Sequence, residues 1–201
     1  MTLERKEILV YAHWDGIESP FLMGSLFATL SRGKEIFSFE YAKKWLQSDY
    51  VQIIDPDLQL FEGAQYLTDE KSNFGIFLDS SPDRWGRVLM MRKEAAKARN
   101  EDRRPKTLME SDYLLGVYDT NRMGGLRFKT AQDGAFLDDD EAMTAPPFAA
   151  LRDLEFASLQ LEKEDAPDNP EYLKWLNMLM APGSSLGGAR PKANIRDSEG
   201  G

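Results

Sequence analysis

The sequence predicts an α+β protein whose N-terminal part is an antiparallel, β-rich subdomain with helices. Two observations carry this expectation. The first 41 residues hold three strand-like runs joined by tight turns, "EILVYAHW", "FLMGSLFATL" and "EIFSFEY". Beyond residue 80 the pattern changes to helix-start signals followed by apolar residues at helical spacing.

In the first run, apolar residues extend from Ile8 to Trp14, and "DGIESP" reads as the turn that ends it. Gly24 interrupts the second run, which predicts a bulge or a close backbone approach. "RGK" is a turn, and "EIFSFEY" alternates like a half-buried strand. Strands joined this tightly pair antiparallel, with closure into a small barrel as one arrangement. "YAKKWLQ" reads as a short helix.

The clearest helix begins within "SPDRWGRVLMMRKEAAKAR". Ser81 is the expected N-cap, Pro82 suits the first helical position, and Asp83 complements the helix dipole. Trp85, Val88, Leu89 and Arg92 share one face. Thr107 and Glu110 then stand at capping-box spacing before a short helix that Gly116 closes. Gly124 and Gly125 mark a turn into the strand "LRFKT". "FAALRDLEFASLQLEKE" reads as an amphipathic helix anchored by Leu151, Leu154, Phe156 and Leu161. "PEYLKWLNMLM" is another, with Pro170 at its start and Pro182 and Gly183 at its end.

The chain has 201 residues, 42% apolar and 29% charged, which suffices for a substantial core. It has no cysteine, so disulfides and cysteine-based zinc sites are excluded. No apolar stretch approaches the roughly 20 residues of a membrane helix, the N-terminus lacks the pattern of a secretory signal, and a cytoplasmic location is expected. A net charge of -9 disfavours autonomous nucleic-acid binding.

Four features are candidate sites. "GSSLGGARPKA" is a glycine-rich turn followed by a basic residue, which suits either phosphate binding or a structural turn. It is not a Walker loop, because Ala189 and Arg190 stand where Lys and Ser or Thr are needed. Arg84, Arg87, Arg92, Lys93, Lys97, Arg99, Arg103, Arg104 and Lys106 form a local basic excess: a docking face for an acidic partner or, more simply, a solvated helix end. The acidic run from Asp138 to Glu141 lacks the spacing of a calcium loop and reads as a solvated loop. His13, the single histidine, is expected to be structural.

At "SSPDRWGRVLMMR", "YLLGVYDTNRMGGLRF" and "GSSLGGARPKA" the sequence resembles the HipA family, the serine/threonine kinase toxins of bacterial type II toxin–antitoxin pairs. The resemblance covers nearly the whole chain and implies two segments. Residues 1–106 would be the family's N-terminal subdomain, and residues 107–201 the start of an incomplete kinase-like ATP lobe. It implies that Gly187, Gly188, Ala189, Arg190, Pro191 and Lys192 lie over the ATP phosphates, and that Ser185 is the autophosphorylated serine, with Ser184 adjacent. Phosphate on Ser185 would add about two negative charges beside a phosphate site and act as an off switch.

The chain departs from the family after this loop. Phosphoryl transfer also needs a lysine on a following strand, a catalytic aspartate and metal ligands, and the family carries these further on. Asn73-Phe74-Gly75 lacks the aspartate of a metal-binding DFG, and His13-Trp14-Asp15 is no catalytic loop. The expectation is therefore an N-terminal portion with no catalytic or metal-binding residue, inactive by itself. ATP and Mg2+ would serve the full-length family without binding tightly here. The implied partners are a HipB-like antitoxin, a protein substrate and a separate C-terminal kinase half. The alternative is a non-catalytic module that binds a separate kinase core or the antitoxin.

Overall fold

A computed structural model describes residues 5–67, 71–119, 122, 124–137 and 151–183. It is of mixed α and β composition. The chain forms two compact units. The first comprises Met1–Ser81, Met109–Leu115 and Met123–Leu137; the second comprises Pro82–Leu108, Gly116–Arg122 and Asp138–Gly201. The units thus divide the chain at several points, whereas the family resemblance implies one boundary after Lys106.

The first unit is built on five strands: β1 (Arg5–Ala12), β2 (Phe21–Ser31), β3 (Lys34–Tyr41), β4 (Gln65–Tyr66) and β5 (Leu126–Lys129). Their order is β4-β3-β2-β1-β5, with every pairing antiparallel. Strands β4 and β5 lie at opposite ends of this order and do not pair, so among the described residues the sheet is open and not the small barrel that tight turns also allow.

The β2–β3 hairpin turns on two residues, Arg32 and Gly33, both at positive φ (49° and 80°). This is the turn whose twist matches that of paired strands. Gly24 stands beside a bulge at Met23 and is itself a close approach. The β1–β2 register slips between Val10 and Tyr11, which pair with Gly24 and Leu22. On the side of β3, Met23 O accepts from Ala42 N–H at 2.8 Å. A Cβ on Gly24 would meet the Glu40 carbonyl oxygen and would lie 2.7 Å from the Phe39 ring.

Period-two alternation turns one sheet face inward. Ile8, Val10, Ala12, Leu26, Ala28, Phe37, Phe39, Tyr41, Leu126 and Phe128 form the core with Leu58, Phe74, Phe77, Leu114 and Trp45. Helices α1 (Lys43–Leu46), α2 (Gly75–Asp79) and α4 (Glu110–Leu115) belong to this unit. The other face is solvated and carries cations over aromatic rings. Arg5 lies 3.7 Å from the Phe27 centroid, and Arg127 lies 3.8 Å from that of Phe136.

The second unit consists of α3 (Arg84–Asn100), α5 (Leu151–Leu161), a 3-10 turn (Ala166–Asp168) and α6 (Tyr172–Gly183). Helix α6 packs against both α3 and α5. Trp85, Leu89, Met90, Leu154, Ala157, Leu161, Trp175, Leu176 and Leu179 are buried. Leu154 and Leu161 are the anchors expected of α5. Leu151 and Phe156 are instead about half exposed, although the Phe156 ring meets Trp175 of α6 edge-on at 6.4 Å.

The cap of α3 differs from the sequence reading. Asp83 is the N-cap, its Oδ1 accepting from Gly86 N–H at 2.8 Å. Ser81 Oγ instead donates to Phe77 O at 2.8 Å, and Ser80 Oγ to Ile76 O at 2.8 Å, so both serines close α2. With two helices this close in sequence, the serine hydroxyls satisfy the end of one and leave the start of the next to Asp83.

At its other end α3 closes in a Schellman motif. Arg103 N–H donates to Ala98 O at 2.9 Å and Asp102 N–H to Arg99 O at 3.2 Å, with Asp102 at φ 47°. That left-handed position favours glycine. Asp102→Gly is expected to raise the stability of the second unit by about 0.5–1 kcal/mol, read as a higher midpoint in urea denaturation followed at the amides of α3.

Candidate functional site

The residues that the resemblance implies for ATP, Gly187, Gly188, Ala189, Arg190, Pro191 and Lys192, lie outside the described residues, as does Ser185. So does the acidic run from Asp138 to Glu141. What the structure describes is the element that leads to the loop, α6, and the surroundings of the other two motif blocks.

Several cations of the basic stretch after Arg84 make internal contacts. Arg92 Nη1 donates to Leu161 O at 3.1 Å and thereby caps the last residue of α5. Arg99 Nη1 donates to Pro167 O at 2.6 Å in the 3-10 turn that precedes α6. Arg87 Nε donates to Pro82 O at 3.2 Å. A guanidinium at a helix C-terminus satisfies an orphan carbonyl and opposes the negative end of the dipole. These side chains therefore tie the helices together, a role that neither of the two readings given to the stretch includes.

Arg103 completes the same device. Its Nη1 and Nη2 reach Glu94 Oε1 and Oε2 at 2.5 and 3.3 Å, and its Nε reaches Glu101 Oε2 at 2.5 Å. Glu94 Oε1 also accepts from Lys106 N–H at 2.8 Å. The bond from Arg103, helped by that from Lys106, holds the Glu94 carboxyl down at about 2. The segment after α3 is thus clasped to the helix it leaves.

Helix α4, whose last residues open the second motif block, is fixed to the sheet by charge. Glu35 Oε2 accepts from Ser111 N–H at 2.8 Å and Oε1 from Ser111 Oγ at 2.5 Å. Lys6 Nζ donates to Ser111 Oγ at 2.8 Å and to Asp112 Oδ1 at 3.1 Å. Asp112 Oδ2 accepts from Met109 N–H at 3.0 Å. The N-terminus of α4 is therefore capped by Asp112 and Glu35, not by the Thr107–Glu110 box. Glu35 lies 76 residues away in sequence, so no local spacing points to it.

The same block ends at β5. Gly124 is at φ 80°, as its turn requires, and a Cβ on Gly125 would lie 2.7 Å from the Trp14 side chain. Gly125 O accepts from His13 N–H at 2.7 Å. His13 therefore serves the sheet through its backbone, and its side chain is exposed. Between α4 and β5, Asp119 and Arg122 are buried, and Arg122 Nη2 donates to Val117 O at 3.0 Å.

Asn73-Phe74-Gly75, the tripeptide that approaches a metal-binding motif, starts α2. Asn73 Oδ1 accepts from Phe74 N–H at 2.9 Å and the Phe74 ring is in the core. The carboxylate beside it is Asp55, 3% exposed, whose Oδ2 accepts from Ile76 N–H at 2.7 Å and Oδ1 from Asp57 N–H at 2.8 Å. No sequence signal singles out Asp55, since its partners are backbone groups brought to it by the fold. Burial, and secondarily the charge of Asp55, push the Tyr41 hydroxyl up to about 12.

Among the described residues, no group of three or more His, Cys, Asp or Glu side chains converges to hold a metal ion. Among the same residues, no helix is long and apolar enough to cross a membrane. Comparisons with protein-family models, curated proteins and solved structures find no match.

Proposed function

We propose that these residues form the N-terminal part of a HipA-like serine/threonine kinase. In this reading the chain carries the β-rich subdomain and the start of the ATP lobe. The family's full-length activity transfers the γ-phosphate of ATP to a serine or threonine of a protein substrate. The loop Gly187–Lys192 contributes backbone N–H groups and the cations Arg190 and Lys192 to the phosphates, and Mg2+ is held by residues that follow it. Ser185 is the regulatory phosphorylation position, and a HipB-like antitoxin is the partner.

The observation that carries the reading is where the motif blocks fall. The block "SSPDRWGRVLMMR" contains the crossing from the first unit into the second, after Ser81, and supplies the α3 cap Asp83. The block "YLLGVYDTNRMGGLRF" leaves the first unit after Leu115 and returns to it to supply β5. Its buried Asp119 and Arg122 and its close-packed Gly125 are residues that a shared architecture would require. The resemblance thus rests on positions with structural work to do, as a family fingerprint should.

The test is label transfer from radioactive ATP. A full-length protein in which these residues precede a kinase core is expected to phosphorylate a protein substrate and its own Ser185, with self-labelling removed by Ser185→Ala. The 201-residue chain is expected to transfer none. A full-length protein without kinase activity overturns the family reading. Transfer by the 201-residue chain alone overturns the assignment of the chemistry to residues beyond it.

A further inference from the structure

We draw no further inference here: the strongest candidate, the groove between α5 and α6 lined by Asp153, Phe156, Glu171, Lys174, Trp175 and Met178, already holds a cation of its own, since Lys174 pairs with Glu171 at 2.7 Å beside Asp153, and nothing in the structure shows what covers its apolar floor.

Discussion

Gly24→Ala is expected to destabilise the first unit by about 3 kcal/mol or more. The added methyl would meet the Glu40 carbonyl oxygen and the Phe39 ring, 2.7 Å away, and both belong to the paired strand β3. A flexible side chain could swing aside. A carbonyl in a sheet ladder cannot move without breaking its neighbours' hydrogen bonds. Gly16→Ala supplies the control. Gly16 has φ 89° but nothing within 4 Å of an added Cβ, so its cost is conformational only, about 1–2 kcal/mol. Urea denaturation followed by hydrogen exchange at the β2 and β3 amides separates the two. Equal losses for both variants would refute the steric account.

The second large effect is expected at Asp55. Its carboxylate receives Asp57 N–H and Ile76 N–H at 2.8 and 2.7 Å, so Asp55→Ala leaves two inward donors without their charged acceptor. The expected loss is about 3 kcal/mol, in line with two hydrogen bonds to an ionised group. Asp55→Asn keeps one acceptor oxygen and should lose less. The same substitutions reach Tyr41. Its hydroxyl is buried with no hydrogen-bond partner among the described residues and titrates at about 12 against an ordinary 10.0.

The sign follows from linkage. The folded protein keeps this phenol protonated while the unfolded chain ionises it, so its contribution to stability is full below about pH 10 and lost as pH rises towards 12. Removing the Asp55 charge should lower the Tyr41 midpoint without returning it to 10.0, since burial is the larger cause. Ultraviolet titration of tyrosinate in the wild type and Asp55→Asn reads this directly. A midpoint unchanged by the substitution would remove Asp55 from the account.

Particular elements mark how far the sequence can be read. The β2–β3 hairpin is legible because a two-residue turn and period-two alternation are local properties. Helix α3 is legible in extent, but its cap is not. Ser81, Pro82 and Asp83 are all good start residues, and the choice depends on the end of α2, which no local signal marks. The exposed Leu151 and Phe156 resemble core residues in the same way: a helical stripe shows that a residue is apolar, and only the neighbour decides whether it is covered. The cations after Arg84 look like a surface patch, since a sequence does not show the Leu161 and Pro167 carbonyls that Arg92 and Arg99 reach across 69 and 68 residues.

The candidate site divides along the same line. Its chemistry is argued from residue types and from resemblance, and the loop that would bear it lies outside the described residues. The sequence by itself determined most of the secondary elements, though not β4 or α2, with the close approach at Gly24, the turn at Gly124 and the absence of cysteine chemistry, because each depends on a residue's own geometry or identity. The tertiary structure alone decided that β5 closes one end of a sheet begun more than 100 residues earlier, that Glu35 and Lys6 hold the start of α4, and that Asp55 is buried beneath α2. Each of these joins groups distant along the chain, where their free energy comes from burial and from pairing of charges that no local spacing specifies.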